Sequence, residues 1–210
     1  MNPILQKIRS GESQTLEFKF ELNSARRIAT TLSAFSNSDG GTLLIGVKDN
    51  GHVAGVRAEE ELYVLEAAAD LYCKPKVATE IRRWEIEGKV VLAVSIEASS
   101  EKPVKAEGTE GEWKAWVRYG ASNRMASPVH LELWKMQLGK EKPSVYSTRE
   151  QKLLEALQQK PWLSLNQVAR MTRLPRQAII RTMASFVKWE LAEMLVDESG
   201  GFVFSLREDD

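Results

Sequence analysis

The sequence predicts a mixed-sheet α/β (α+β) domain followed by a small domain of three helices and a β-hairpin. Three observations lead to this fold class. The run TLLIGVK at residues 42–48 is apolar at nearly every position, which is typical of a central strand covered on both faces. Two amphipathic helical patterns and about six strand-like segments with short connections surround it. From residue 148 onward the pattern changes to three helices, a strand, a glycine turn and a second strand.

Local signals place the elements of the first domain. Residues 2–10 predict a short helix that begins at Pro3 and ends at Gly11. Leu16, Phe18 and Phe20 alternate with charged residues, which predicts a strand with one buried face. The next signals predict a helix capped by Asn23 or Ser24 and stopped by Gly40-Gly41, then the central strand and a hairpin turn at Asn50-Gly51. A helix at 62–72 and two strands about a turn at 87–89 follow. The last predicted elements are a polar loop at 101–112, a strand at 113–119 and a helix at 128–138 that ends at Gly139.

Composition shifts set the domain boundaries. We place the first domain at residues 1–139, a polar, proline-containing linker at 140–147, and the second domain at 148–210. In the second domain one helix begins at the Ser164 cap and the next at Pro175, with a short turn between them. Three helices followed by a β-hairpin match the plan of a winged helix-turn-helix domain.

Composition excludes several classes of function. The 29 basic and 29 acidic residues give no net charge, so any nucleic-acid surface must be a local patch. The single cysteine, Cys73, excludes a disulfide framework and a cysteine-rich zinc site. The two histidines argue against a His-rich zinc centre or a Ser-His-Asp hydrolase, and leave His52 as a candidate lone base. With no secretory signal and no long apolar run, we expect a cytoplasmic protein without membrane contact.

The third helix of the second domain carries the side chains suited to reading DNA. Arginine and glutamine can pair bidentately with base edges, whereas lysine mainly meets phosphates. The hairpin that follows is acidic and would repel phosphate, so DNA contact and a protein-interaction or dimerisation role both stay open. The candidate nucleic-acid contacts are Arg173, Arg176, Gln177, Arg181 and Lys188, and the acidic residues are Glu190, Glu193, Asp197 and Glu198.

Three segments of the first domain carry a family resemblance. They are ESQTLEFK at 12–19, TLSAFSNSDGGTLLIGVKDNGHVAGV at 31–56 and WVRYGASNRMA at 116–126. Their order and motifs resemble the Schlafen/AlbA-like family of DNA-binding domains over roughly residues 10–126. Bacterial members of that family often carry a C-terminal winged helix, and many are named as transcriptional regulators, DNA-binding proteins or ATP-binding proteins.

The resemblance also implies a site. Some eukaryotic Schlafens are metal-dependent RNA endonucleases with three carboxylates, which correspond here to Glu12, Glu17 and Asp49. Such a cluster would hold Mg²⁺ or Mn²⁺ and activate water. On residue pattern alone, a solvated strand face is the better interpretation of Glu17, and Asp49 fits turn chemistry. The nearby Lys19, Arg118 and Asn123 are candidate phosphate contacts.

The sequence therefore supports a ranked set of functions. We expect a nucleic-acid-binding protein, and specifically a DNA-binding transcriptional regulator that acts as a homodimer, with DNA a better candidate than RNA. The first alternative is a metal-dependent nuclease that uses the three carboxylates. The second is an ATP-binding or protein-interaction module, for which no G-x-x-x-x-G-K-S/T loop is present.

Overall fold

The computed structural model describes residues 2–136 and 145–207. Their contacts divide the chain into two compact units, Met1–Ala126 and Ser127–Asp210. The elements of the first unit are α1 (Pro3–Ser10), β1 (Leu16–Lys19), α2 (Ala25–Asn37), β2 (Gly41–Ile45), α3 (Ala58–Asp70), β3 (Cys73–Lys74), β4 (Thr79–Ile86), β5 (Lys89–Ile96), β6 (Lys105–Glu107), β7 (Trp113–Tyr119) and β8 (Ser122–Met125). Those of the second unit are α4 (Pro128–Lys135), α5 (Thr148–Gln159), β9 (Leu163–Ser164), α6 (Leu165–Thr172), α7 (Arg176–Lys188), β10 (Ala192–Val196) and β11 (Phe202–Leu206).

The first unit contains two four-stranded sheets. One has the order β1-β2-β5-β4, with β1 and β2 parallel and the other pairs antiparallel. The second has the order β3-β6-β7-β8 and is antiparallel throughout. Helix α2 packs against β6 and β7 and also against α3. The mixed-sheet fold class predicted from the sequence is confirmed.

The central strand β2 separates two apolar clusters. Leu43 and Ile45 pack with Phe35 of α2 and Leu92 of β5, whereas Leu44 packs in the other cluster. That second cluster includes Phe18, Val91 and the two buried residues of α1. Because successive side chains of a strand point to opposite faces, a strand covered on both sides must be apolar at consecutive positions. The prediction of a doubly covered central strand is confirmed.

The glycine pair after α2 allows a close approach of the helix to the sheet. Gly40 has φ +73°, a conformation that a residue with a side chain rarely adopts. At Gly41 an added Cβ would lie 2.5 Å from Phe35 Cε1 and 2.8 Å from the Thr15 carbonyl oxygen. The helix ends earlier than predicted, at Asn37, and the two glycines instead form the tight entry into β2.

Two predicted details of the first unit differ in the structure. The turn at Asn50-Gly51 forms, with the Gly51 N–H donating to the Lys48 carbonyl at 2.8 Å. The strand expected after it is reduced to a single bridge between Val47 and Val53. Within the predicted polar loop at 101–112 lies β6, which pairs with β7 although its own sequence carries little apolar pattern.

The second unit combines α4–α7 with a three-stranded antiparallel sheet of order β10-β11-β9. Its core is formed by residues such as Leu153, Val168, Ile179, Phe186 and Phe204. The predicted cap at Ser164 is present, because the Gln167 N–H donates to Ser164 Oγ at 3.3 Å. The order of elements is α4-α5-β9-α6-α7-β10-β11.

Helix α4 is part of the second unit. It packs against α7, and its Val129 is fully buried in the core of that unit. The boundary between the two compact units therefore follows Ala126 in the chain, whereas the sequence predicted a boundary after Gly139. Gly139 and most of the predicted linker, residues 140–144, lie outside the described residues. Among residues 2–136 and 145–207 no helix is long and apolar enough to cross a membrane.

Candidate functional site

Glu17 is the buried centre of the site predicted in the first unit. It lies in β1 and is 3% exposed. Its Oε2 accepts a hydrogen bond from Arg118 Nη1 at 2.6 Å. Its Oε1 accepts from Lys19 Nζ at 2.7 Å and from Thr31 Oγ1 at 3.1 Å. The carboxylate is thus compensated by two cations of the chain itself.

Arg118 in β7 uses its guanidinium inside the fold. The residue is 2% exposed, and its Nε and Nη2 donate to the Ser13 carbonyl at 3.2 and 3.0 Å. Nη2 also donates to the Leu16 carbonyl at 3.1 Å, and Nη1 to Asn123 Oδ1 at 2.9 Å. The guanidinium carbon lies 5.0 Å from the centroid of the Phe35 ring. These contacts join β7 to the segment that leads into β1. The phosphate contact by Arg118 stays a prediction, and the guanidinium would have to exchange these internal partners to make it.

Glu12 and Asp49 occupy different surroundings from Glu17. Glu12 precedes β1, and its Oε1 accepts from the Phe18 N–H at 2.8 Å. Asp49 is exposed in the turn after β2. Among the described residues no group of three or more His, Cys, Asp and Glu side chains is placed to hold a metal ion. The structure therefore does not bring Glu12, Glu17 and Asp49 together as the three-carboxylate centre that the resemblance implied.

A cavity of about 410 Å³ lies beside Glu17 at the N-terminus of α2. Lys19 and Asn123, both predicted phosphate contacts, line it, and so does Arg27, which the sequence analysis did not select. Ser24 caps the helix here by accepting the Arg27 N–H at 3.4 Å. The exposed Arg27 and the partial positive charge of a helix N-terminus suit a phosphate oxygen, although the carboxylate of Glu21 also lines the cavity. The signal that could have identified Arg27 is its place in the first turn of a helix that follows β1.

The second unit presents a polar face on α7. Arg173, at φ 56°, lies in the turn before the helix, and Arg176, Gln177 and Arg181 lie on it; all four are exposed. The opposite face of α7 is buried in the core through the residues Ile179, Ile180, Met183 and Phe186. The face therefore consists of long hydrogen-bonding side chains on a rigid helix.

Two of these arginines have contacts with neighbouring elements. Arg176 Nη1 donates to Asn166 Oδ1 of α6 at 2.8 Å. Arg181 Nε lies 3.5 Å from Glu132 Oε1 of α4, and its side chain stays 67% exposed. Lys188, the last predicted contact, is half-buried at the end of α7. The Glu132 side chain is only 17% exposed, but because the arginine faces solvent the pair is weak and another anion can compete for Arg181.

The turn between β10 and β11 carries negative charge. Asp197 Oδ1 accepts from Ser199 Oγ at 2.6 Å and from the Gly201 N–H at 2.8 Å. The hydrogen bond from Ser199 and that from Gly201 hold the pKa of Asp197 below its usual value. Glu198 beside it is exposed. The two carboxylates give this turn the negative charge predicted from the sequence.

Two other buried titratable groups, His130 and Cys73, have structural surroundings. Burial lowers the pKa of His130 to about 4, and its Nδ1 accepts from the Ser127 N–H at 3.1 Å at the start of α4. Burial raises the pKa of the Cys73 thiol to about 12, which keeps it protonated and unreactive.

Asn37, in the segment that carries the family resemblance, is 4% exposed and donates hydrogen bonds to backbone carbonyl groups of two neighbouring segments.

The first unit matches a known protein family. A family model described as Schlafen, AlbA_2 matches residues 12–127. Among solved structures, the DIP2311 protein of Corynebacterium diphtheriae is 18% identical with a TM-score of 0.46, over 90% of this chain and 34% of that one. The N-terminal domain of a Nitrosomonas europaea protein described as related to the ATP-dependent DNA helicase RecG is 20% identical with a TM-score of 0.43, over 69% of this chain and 95% of that one. No curated protein matches.

This chain corresponds to different shares of the two solved proteins. The chain spans about a third of the length of the Corynebacterium diphtheriae protein and nearly all of the Nitrosomonas europaea domain.

Proposed function

The chain belongs to the Schlafen, AlbA_2 family through residues 12–127, and on this basis we propose that it binds nucleic acid and acts as a DNA-binding transcriptional regulator. The observation that carries the DNA part of the proposal is the exposed face of α7. Arg176, Gln177 and Arg181 project from a helix whose other face is buried, so their Cα positions are fixed. Such side chains can pair with guanine and adenine edges in a major groove.

The order of elements in the second unit supports the same proposal. A helix, a short strand, two helices joined by a short turn and a β-hairpin follow one another, which is the plan of a winged helix-turn-helix domain. In that plan α7 is the helix that enters the major groove. The exposed Arg173 in the turn before it would reach the adjacent phosphates.

Charge limits how the molecule would contact phosphates. The acidic turn at Asp197 and Glu198 would stay away from the DNA backbone, so the hairpin would contribute little. In the first unit, the cavity with Lys19 and Arg27 offers a separate phosphate contact. Because few phosphate contacts are present, we expect a moderate affinity for DNA that falls as the salt concentration rises. A homodimer on two half-sites would raise the affinity without new contacts on each copy.

The test compares two matched double variants of the whole chain. Arg176→Ala with Gln177→Ala removes the α7 contacts, and Arg149→Ala with Gln158→Ala removes the same residue types from the exposed surface of α5. Binding is measured on a random-sequence duplex pool at several salt concentrations, and the bound fraction is sequenced. We expect the α7 variant to bind about tenfold or more weakly and to lose base preference, with the α5 variant unchanged. Equal affinity and equal base preference of the two variants would contradict DNA reading by α7.

The same samples test the nuclease alternative. Incubation with Mn²⁺ or with EDTA, followed by a denaturing gel, detects cleavage of labelled DNA or RNA. Glu17→Gln is the suitable variant because it keeps the size of a side chain that Arg118 and Lys19 contact. Metal-dependent cleavage that Glu17→Gln abolishes would replace the regulator by a nuclease.

A further inference from the structure

A second cavity in the first unit has a different character from the one beside Glu17. Its volume is about 500 Å³, and it lies where the end of β1, the start of α3 and the turn between β4 and β5 come together. None of its lining residues belongs to the sets predicted to contact nucleic acid or metal. Its polar and aromatic lining residues are Phe20, Glu21, Arg57, Glu60, Glu61 and Lys89.

Glu61 is the buried carboxylate of this cavity. It lies in the first turn of α3 and is 8% exposed. Its Oε2 accepts from the Leu22 N–H at 2.7 Å, and it forms no ion pair with any residue in the described part of the chain. Burial raises the pKa of Glu61; the Leu22 hydrogen bond lowers it in part, and the charges of Glu21 and Glu60 raise it further. The negative charge at the cavity wall is therefore incompletely compensated.

The two cations that line the cavity, Lys89 and Arg57, do not form ion pairs with Glu61 or Glu21. Lys89 Nζ donates to the Val53 carbonyl at 2.8 Å. Arg57 Nη1 pairs with Glu60 Oε1 at 3.2 Å, and the Arg57 side chain is 84% exposed, which makes this pair weak. Glu21, like Glu61, forms no ion pair within the described part of the chain. The cavity consequently presents more carboxylate than it neutralises.

Phe20 adds an aromatic wall. It is 47% exposed, an unusual exposure for a phenylalanine that directly follows a buried strand. The ring already attracts a cation of the chain, because Lys48 Nζ lies 5.4 Å from its centroid. The negative face of an aromatic ring and a desolvated carboxylate together favour a cation with a flat, apolar face.

We propose that this cavity binds a guanidinium group, with N–H donors of the guanidinium directed at the Glu61 carboxylate and its planar face against Phe20. Guanidinium fits better than ammonium because it is planar, weakly hydrated and able to donate two parallel hydrogen bonds to one carboxylate. Nucleotides do not fit, because Glu21, Glu60 and Glu61 would repel their phosphates. The proposal does not depend on DNA binding by α7.

The test titrates the whole chain with small guanidinium compounds in a calorimeter. Agmatine represents a free metabolite-sized source, and N-acetyl-arginine amide represents an arginine side chain of a protein partner. N-acetyl-citrulline amide, the uncharged isostere, is the control compound. We expect saturable binding of one or both guanidinium compounds and none of the citrulline compound. The tighter of the two guanidinium compounds then identifies the source.

Variants assign the binding to this cavity. Glu61→Gln keeps an acceptor for the Leu22 N–H and removes the charge, and we expect it to weaken binding about tenfold or more. Phe20→Leu should weaken it by a smaller factor, and Glu66→Gln, an exposed position of α3, should leave it unchanged. If Glu61→Gln does not fold, Glu21→Gln is the substitute variant with the same direction of effect. Unchanged affinity in the folded cavity variants, equal binding of the citrulline compound, or tighter binding of guanosine monophosphate would overturn the proposal.

Discussion

Arg118 in the first unit and Arg181 in the second were predicted from the sequence for the same role, and the structure places them in opposite environments. The side chain of Arg118 is 1% exposed and lies 2.6 Å from Glu17. The side chain of Arg181 is 67% exposed and lies 3.5 Å from Glu132. One guanidinium stabilises the fold and the other faces solvent. Residue type alone therefore does not distinguish a structural arginine from one that is free to bind a ligand.

The elements that carry the two arginines explain the difference. Arg118 lies on β7, which packs against α2, and the carbonyl groups of Ser13 and Leu16 come within hydrogen-bond distance of it. Arg181 lies on the outer face of α7, where Glu132 is its ion-pair partner at 3.5 Å. A buried guanidinium has to satisfy its donors within the protein, whereas an exposed one can exchange water for a base or a phosphate.

The largest effect is expected for Arg118→Ala. This change leaves Glu17 buried with only Lys19 to compensate it and removes the donors to two carbonyl groups. We expect the free energy of unfolding of the first unit to fall by about 3–5 kcal/mol, measured by urea denaturation. The double variant Arg118→Met with Glu17→Leu removes both charges and should recover most of that loss. An unchanged urea midpoint in Arg118→Ala would show that the pair is not structural.

A smaller loss is expected for Asn37→Ala, a neutral buried side chain of the same unit. Asn37 Nδ2 donates to the Val104 and Trp116 carbonyl groups at 2.7 and 2.8 Å, and its Oδ1 accepts from the Val104 N–H at 2.8 Å. Loss of these partners should lower the free energy of unfolding by about 2–3 kcal/mol in the same urea experiment. Asn23→Ala, at an exposed position, is the control and should have little effect.

The second unit has a buried histidine, His130, whose effect on the free energy of unfolding depends on pH. Because burial lowers the pKa of His130 from 6.5 to about 4, the unfolded chain binds a proton in that interval and the folded chain does not. The stability of the second unit should therefore be fully present above pH 6.5 and fall by about 1.4 kcal/mol for each pH unit below it, towards pH 4. Urea denaturation at several pH values measures this slope, and His130→Gln should flatten it. An equal slope in the variant would assign the pH dependence to other groups.

The smallest effect on stability is expected for Arg181→Ala. An exposed ion pair contributes about 0–1 kcal/mol, so the unfolding midpoint should barely move. The affinity for duplex DNA should fall in the same variant, with a weaker dependence on salt. A large loss of stability would place Arg181 in the same class as Arg118 and would weaken the proposal that α7 reads DNA.

Local patterns in the sequence determined much of this protein. The doubly covered strand β2, the caps at Ser24 and Ser164, and the exposed polar face of α7 follow from residues that are close in the chain. The period of a helix decides which of its side chains face the core, so the environment of Gln177 and Arg181 could be predicted.

Only the tertiary structure decided the features that join distant segments. Arg118 and Glu17 are 101 positions apart, and no local pattern shows that they meet. The short strand β6 forms inside a polar segment because β7 lies beside it. Helix α4 belongs to the second unit because Val129 is buried in the core of that unit. Glu12, Glu17 and Asp49 carry the right chemistry in the right order, but backbone geometry and the Arg118 contacts give them separate surroundings. Which charges are neutralised inside a fold depends on long-range contacts, and these form only when the whole chain packs.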